Sequence, residues 1–457
     1  MAKASLTEGK TLIIGAGKSG ISSAALLKRH GAGFAVFEGA KGVSESDVRA
    51  KSDVFGNGVD VFLVDITSED LKGFTHAVLS PGISVDAPIV RKCRDAGLCV
   101  IGELELGYLF SKGMTIAITG TNGKTTTTTL TGDILKRHFK DVYVAGNIGD
   151  PYTDIADKTT DDSVCVLEVS SFQLETISEF RAQVSAILNV TPDHLDRHGT
   201  MDNYAAMKER VTNRGDDSCV CVLNADNPYC ADFAVRCPVR PIMFSSSGIL
   251  DDGYFLKDGV IMRACGAFKE AEPLISMDEV DLVGTCNAEN IMAAIAISRA
   301  VGVPDDIILD AVRSFKAVFH RIEYVTTKNG VKYYNDSKGT NPDAAIQGIR
   351  AMDGPTYLIA GGYDKNIPFD DWVKAFDGKV KKLVLIGQTA RQIADTARKY
   401  GVENIEIKDT FEEAFEACAT CAKEGENVLL SPACASWGMF KNYEERGDLF
   451  KKLAGEL

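Results

Sequence analysis

Short apolar runs rich in β-branched residues recur along the chain, each followed by a glycine or polar turn and then by apolar residues at helical spacing. Runs this short and uninterrupted suit strands buried on both faces of a parallel sheet. Residues 11–14, 34–37 and 76–79 predict strands of a first unit. Residues 115–118, 142–145, 164–167 and 186–190 predict strands of a second, which continues with shorter strands at 219–223, 241–244, 253–255 and 260–263. A third unit is expected from strands at 331–335, 356–360, 382–386, 405–407 and 427–430, with helices over 202–214, 287–301 and 304–315 in the second. The rhythm breaks near residue 105 and again over 317–321. A chain of 457 residues exceeds one ordinary core. The expected fold class is therefore α/β in three domains: a Rossmann-like N-terminal domain (1–105), a central P-loop α/β domain (106–317) and a Rossmann-like C-terminal domain (318–457).

The strand at 115–118 opens into Gly120-Thr121-Asn122-Gly123-Lys124-Thr125-Thr126, after which Leu130, Ile134 and Leu135 keep helical spacing. Such a turn grips phosphate because its glycines let backbone N–H groups point inward and the helix N-terminus adds positive potential. Lys124 can reach the terminal phosphates, and the Thr125 hydroxyl can meet Mg²⁺. The common spacing would place a glycine at 118, where Ile118 stands, so this grip is shorter.

Other strand ends carry polar residues in the same way. Gly15, Gly17 and Gly20, with Ser19 among them, form a diphosphate cradle that Glu38 follows about 20 residues on, a pattern open to NAD or any diphosphate-linked nucleotide. Ser80, Pro81 and Gly82 make a turn at a strand's C-terminal end. Asn147 follows the strand at 142–145. Glu168 ends the strand at 164–167, where an acidic residue can hold Mg²⁺. In the segment 191–198 the oxygen of Asp193 is the natural Mg²⁺ donor and the nitrogen of His194 an unusual one; the residues alone leave both open. Lys208 lies in the apolar stripe of Tyr204, Met207 and Val211, so it either snorkels outward or is buried with a lowered pKa. Asn290 near a helix start can face a base or act as a cap. In the last unit Asp336 to Asn341, Lys365 and the segment 431–437 gather lysines and hydroxyls at one sheet edge, suiting a small anion.

Charge narrows the partners. A net charge of −14 opposes wrapping of a nucleic acid. No run of about 18 apolar residues predicts membrane insertion, and the first residues lack a signal peptide's apolar core, so a cytoplasmic chain is expected. The twelve cysteines are scattered among apolar positions and read as reduced thiols, including the Cys418 and Cys421 pair.

Taken together, GTNGKTTTT, AGNIG at 145–149, LEVSSFQL at 167–174, TPDHLDRH, His320-Arg321, NDSKGTN and SPACASW followed by FKNYEERG resemble the Mur ligase family over the whole chain. The last two before FKNYEERG point to its D-glutamate-adding branch. The resemblance implies an ATP-dependent ligase that joins D-glutamate to UDP-N-acetylmuramoyl-L-alanine through an acyl phosphate, in cytoplasmic peptidoglycan precursor synthesis, working as a monomer with two Mg²⁺ ions. It implies Gly120 to Thr126, Asn147, Asn290, Arg321 and Asp336 for ATP. Thr125, Glu168, His194 and a carbamylated Lys208 are implied for Mg²⁺, with Lys124, Lys208 and His194 catalytic. Gly15, Gly17, Ser19, Glu38, Ser80, Pro81 and Gly82 are implied for the UDP-sugar, and Lys338, Thr340, Lys365, Ser436 and Tyr443 for D-glutamate. Two departures stand out: Cys286 precedes Asn287 where His is usual, and Gly438 stands where an acidic residue is usual.

Overall fold

The computed structural model describes residues 3–266, 270–364 and 367–457. Three sheets follow one another along the chain. The first comprises β1 (Lys10–Ile14), β2 (Gly33–Glu38), β3 (Asp60–Leu63), β4 (Phe74–Leu79) and β5 (Cys99–Gly102) in the order β3-β2-β1-β4-β5, all parallel. Alternate residues of β1 enter opposite cores: Ile13 packs with Leu26, Leu27 and Val36, whereas Leu12 and Ile14 pack with Phe37, Ile89 and Val90. This double burial is why the strand reads as an unbroken apolar run.

The central sheet comprises β6 (Met114–Thr119), β7 (Val142–Gly146), β8 (Val164–Glu168), β9 (Val184–Ile187), β10 (Val220–Asn224), β11 (Arg240–Ser245), β12 (Asp252–Lys257), β13 (Val260–Cys265) and β14 (Glu272–Ser276). Its order, β14-β13-β12-β11-β10-β9-β6-β8-β7, sets β6 between β9 and β8. The loops leaving the C-terminal ends of these three parallel strands are therefore neighbours, as at the ligand crevice of open α/β sheets. β12, β13 and β14 pair antiparallel at the far edge. The expected strand at 186–190 begins and ends earlier, so Asn189 and Val190 belong to the loop. Helix Lys124–Lys136 buries Leu130, Ile134 and Leu135 against Ile291 to Ile297 of helix Thr285–Ala300.

The third sheet comprises β15 (Glu323–Lys328), β16 (Val331–Asn335), β17 (Thr356–Gly361), β18 (Val380–Ile386), β19 (Ile405–Ile407) and β20 (Asn427–Leu430), ordered β15-β16-β20-β17-β18-β19 with β15 antiparallel. Helix Glu103–Phe110 joins the first two sheets and is pinned by two buried carboxylates. Glu103 accepts from the N–H and hydroxyl of Thr153 at 2.8 and 2.9 Å. Glu105 accepts from the N–H groups of Ser178, Glu179 and Phe180 at 2.9, 2.7 and 3.1 Å. Among the described residues no helix is long and apolar enough to cross a membrane, and no disulfide forms.

Candidate functional site

The loop after β6 folds tightly because Gly123 adopts φ 84°, and a Cβ there would stand 2.3 Å from Asn290 Oδ1. Asn189, in the loop just after β9, holds the phosphate loop from one side: its Oδ1 accepts from the N–H groups of Thr121 and Asn122 at 3.1 and 2.8 Å, and its Nδ2 donates to the Asn122 carbonyl at 3.1 Å. Lys124 Nζ folds back onto the carbonyls of Gly120 and Thr121, both at 2.9 Å. Burial lowers its pKa, partly opposed by the nearby carboxylates of Glu168 and Asp193.

Lys208 does not snorkel. Its residue is 1% exposed, its Nζ donates to the Gly120 carbonyl at 2.8 Å, and it lies 4.4 Å from the Tyr204 ring centre. Burial, and then the charge of Lys124, push its pKa well below that of an ordinary lysine. Glu168, at the end of β8, is buried. Its Oε1 accepts from Asn147 Nδ2 at 2.8 Å, while its Oε2 is buried without a hydrogen-bond partner. An unpartnered buried carboxylate oxygen on a side chain whose charge reaches Lys124 of the phosphate loop suits a hard, oxygen-seeking cation. The donors present thus fit Mg²⁺ at Glu168 and Thr125.

His194 is far more exposed than Glu168. Its backbone is left-handed at φ 54°, its Nε2 is 3.6 Å from Asp193 Oδ2, its ring is 4.8 Å from Phe172, and its side chain is 44% exposed. Among the described residues no group of three or more His, Cys, Asp and Glu is arranged to hold a metal. Asp193 bears on both Lys124 and Lys208 and accepts from Asn341 Nδ2 at 3.4 Å.

The third domain meets this loop directly. Lys338 Nζ donates to Thr125 Oγ1 at 3.0 Å and lies 5.5 Å from the Tyr443 ring centre. Burial and the charge of Arg321 bring its pKa down to about 8. Asp336 is buried, accepting from Ser431 Oγ at 2.7 Å and the Ile322 N–H at 3.3 Å; burial raises its pKa to about 6 against the pull of Arg321. Asn290 is no cap: the helix is capped at Gly284, and Asn290 accepts from Thr127 Oγ1 at 3.2 Å beside Gly123. Asn122, Gly123, Asn290, Arg321, Asp336 and Asp343 line a cavity of about 170 Å³ between the two domains. Cys286 lines it too, its thiol pushed up to about 12 by burial.

Ser436 is buried and Thr340 half-buried; Lys365 lies outside the described residues. Gly438 has φ 91° with open space where a Cβ would point, a left-handed turn in which glycine is unstrained and an acidic residue would not be. In the first domain, Gly15, Gly17 and Ser19 surround the turn after β1. Ser80 Oγ donates to the Gly15 carbonyl at 3.4 Å, Pro81 and Gly82 continue that loop, and Glu38 is ion-paired with Lys51 at 3.1 Å. These residues form a separate cluster, tied to the central domain by Lys18, whose Nζ donates to the Gly149 carbonyl at 2.6 Å, and by Arg197.

Sequence reading passed over several positions. Arg197 donates to the carbonyls of Pro81 and Ile83, both at 3.1 Å, while ion-paired with Glu175. Arg446 is 1% exposed and donates to Ser337 Oγ at 3.0 Å and to the carbonyls of Ser337 and Cys434 at 2.8 and 3.3 Å, sewing two strand-end loops together. Only the FKNYEERG motif touched Arg446, with no role attached.

Comparison with known proteins gives three adjoining family matches. Residues 9–102 match the Mur ligase MurD-like N-terminal domain, 118–298 the Mur ligase middle domain and 320–434 the Mur ligase glutamate ligase domain. The chain is 49% identical over 451 residues to a UDP-N-acetylmuramoylalanine--D-glutamate ligase of Lachnoclostridium phytofermentans, covering 98% of each chain. It is 45% identical to a protein of the same name from a Thermoanaerobacter strain, again covering 98% of each. Among solved structures, a MurF ligase from Thermotoga maritima in complex with ADP superimposes with a TM-score of 0.60 at 18% identity, covering 98% of this chain and 96% of that one. MurF from Acinetobacter baumannii gives a TM-score of 0.63 at 15% identity, covering 99% and 97%. At these identities the two structures speak for the fold.

Proposed function

The chain belongs to the Mur ligase family, and from that premise we propose that it is the ATP-dependent ligase joining D-glutamate to UDP-N-acetylmuramoyl-L-alanine in peptidoglycan precursor synthesis. The observation that carries the reading is Lys338 Nζ on Thr125 Oγ1 at 3.0 Å. It sets the anion-binding edge of the third domain against the phosphate loop, where an activated carboxyl group and an incoming amine must meet. The domains are taken as 1–105 for the UDP-sugar, 106–317 for ATP and 318–457 for the amino acid, in a cytoplasmic monomer.

A carboxylate resists attack by an amine because it is anionic and has no good leaving group. Transfer of the γ-phosphoryl group of ATP to the L-alanyl carboxylate gives an acyl phosphate and ADP. The neutral amine of D-glutamate adds to its carbonyl carbon, and the tetrahedral intermediate expels phosphate and loses a proton to leave the amide. Lys124, released from its two loop carbonyls, neutralises charge on the moving phosphoryl group, with the N–H groups of Gly123 to Thr126 as fixed donors, those of Thr121 and Asn122 being held by Asn189. Arg321 and Asn147 flank the phosphates, Asn290 the adenine and Asp336 the ribose. Lys338, Thr340, Lys365, Ser436 and Tyr443 receive D-glutamate. Gly15, Gly17, Ser19, Glu38 and the Ser80-Pro81-Gly82 turn receive the UDP-sugar.

Mg²⁺, when bound, supplies further charge neutralisation at the phosphates. Thr125 and Glu168 would hold one ion, and His194 and Lys208 would help hold a second. Lys208 serves only after its amine takes up CO₂ and releases a proton, turning a cation into a carbamate anion.

The test is phosphate release with ATP, UDP-N-acetylmuramoyl-L-alanine and a panel of D- and L-amino acids. Release is expected with D-glutamate. Stronger release with another amino acid reassigns the third domain, and Lys124→Ala is expected to abolish release altogether.

A further inference from the structure

Asp343 lies in the first turn of helix Pro342–Arg350, in the third domain, yet both hydrogen bonds to its Oδ2 come from the central domain. The Thr191 hydroxyl donates at 2.6 Å, and the side-chain amide of Asn122, in the phosphate loop, donates to the same oxygen. Neither donor is a loose surface group. The Asn122 backbone is held on both sides by Asn189. The Thr191 N–H donates to Thr121 Oγ1 at 3.1 Å. Asp343 therefore grips two loops, after β6 and after β9, that are already fixed to each other.

Among the described residues two further side-chain hydrogen bonds cross here, Lys338 to Thr125 and Asn341 to Asp193, while Val283 and Cys286 of the central domain pack against the third domain's core. Asp343 differs in being a largely buried carboxylate with two donors. Such a group exchanges hydration for hydrogen bonds at near balance, so the contact can form and open reversibly. A carboxylate is also a poor neighbour for phosphate, which argues for a mechanical role over a phosphate contact.

We propose that Asp343 is a positioning residue that latches the third domain onto the phosphate loop and thereby fixes the distance between the amine site and the reacting phosphoryl group. The latch itself stands on the geometry; its effect on the amine site rests on the function proposed above.

The experiment compares wild type, Asp343→Ala, Asp343→Asn, Thr191→Val and the Thr191→Val/Asp343→Ala double variant. It measures small-angle scattering without substrates, equilibrium ATP binding, and steady-state kinetics with D-glutamate varied. Asp343→Ala is expected to enlarge the radius of gyration, raise KM for D-glutamate at least tenfold with a fall in kcat, and leave the ATP Kd within twofold. Asp343→Asn, which keeps an acceptor oxygen, should recover part of the loss. The double variant should be no worse than Asp343→Ala alone. Unchanged scattering and kinetics in Asp343→Ala overturn the latch, and so does an ATP Kd weakened as much as kcat/KM, which would make Asp343 a nucleotide contact. Should Asp343→Ala fail to fold, Thr191→Val carries the test, with the same signs at smaller size. A wild type inactive as a ligase overturns the proposed function, while a scattering difference would still support the latch.

Discussion

Lys124 and Lys208 donate to one and the same oxygen, the carbonyl of Gly120, at 2.9 and 2.8 Å. Two amines on one acceptor in a buried site cannot both carry charge comfortably, and Lys208, deeper and lacking an equal anionic partner, is the one that yields. A neutral amine is the form that attacks CO₂. Lys208→Ala is therefore expected to lower kcat by about 10²-fold or more, the scale of losing a preorganised charge at the transition state. Formate or acetate should restore part of it by standing in for the carbamate. Wild-type activity in the variant without added acid would remove Lys208 from the mechanism.

Burial and the charge of Arg321 oppose the charge of Lys338 and bring its pKa down to about 8, below that of an ordinary lysine. Lys338 is cationic below that pH and loses its charge above it. If it holds a carboxylate of D-glutamate, kcat/KM for D-glutamate should fall as pH rises through about 8, since this parameter reports the free enzyme. ATP binding should show no such limb. Lys338→Arg stays cationic and should move the fall to higher pH; an unmoved limb assigns it to another group.

The layers of the fold were legible because parallel strands are buried on both faces, so Ile116 and Ile118 against one core and Ala117 against the other leave an unbroken apolar run. The edges were not. β15 has no buried residue and reads Glu-Tyr-Val-Thr-Thr-Lys; β14 carries Pro273, which only an edge strand tolerates easily. At the site, local order announced Lys124, and the apolar stripe announced Lys208 while leaving its burial open. Asp343 gave no local signal and Arg197 only a place in TPDHLDRH with no role attached, since Asp343 meets a partner 221 residues away and Arg197 one 116 residues away. Such pairings come from domain docking, which neither periodicity nor motif spacing encodes.

Glu103 is fully buried with a pKa raised to about 7 by desolvation, against the two hydrogen bonds from Thr153 and with Asp154 adding repulsion. The folded state keeps this proton to higher pH than the unfolded chain. The associated stability is thus complete below pH 4.5 and is lost as pH rises through 7, by up to about 3 kcal/mol. Glu103→Gln keeps an oxygen for Thr153 and removes the charge. Thermal melts at pH 5 and pH 8 should show a smaller drop between the two for the variant than for wild type. Equal drops would place the ionisation elsewhere.

Arg197 joins the loop that carries Pro81 to the segment that carries His194. Its Nε donates to Glu175 Oε1 at 3.0 Å, its two terminal nitrogens reach the carbonyls of Pro81 and Ile83, and its guanidinium lies 4.2 Å from the Phe172 ring centre. Glu175 is only 8% exposed at its side chain, and without Arg197 its nearest partner is His198 Nδ1 at 3.8 Å, so Arg197→Ala strips a buried carboxylate of its main cation and should cost about 3 kcal/mol of stability. Pairing the change with Glu175→Gln, as Arg197→Met/Glu175→Gln, removes the charge and should recover most of that loss. The double variant still lacks the donors to Pro81 and Ile83, so the turn is freed from the central domain. KM for the UDP-sugar should then stay raised, about tenfold, while KM for ATP does not move. Recovery of both stability and UDP-sugar KM in the double variant would mean that Arg197 only neutralises Glu175 and does not hold the turn.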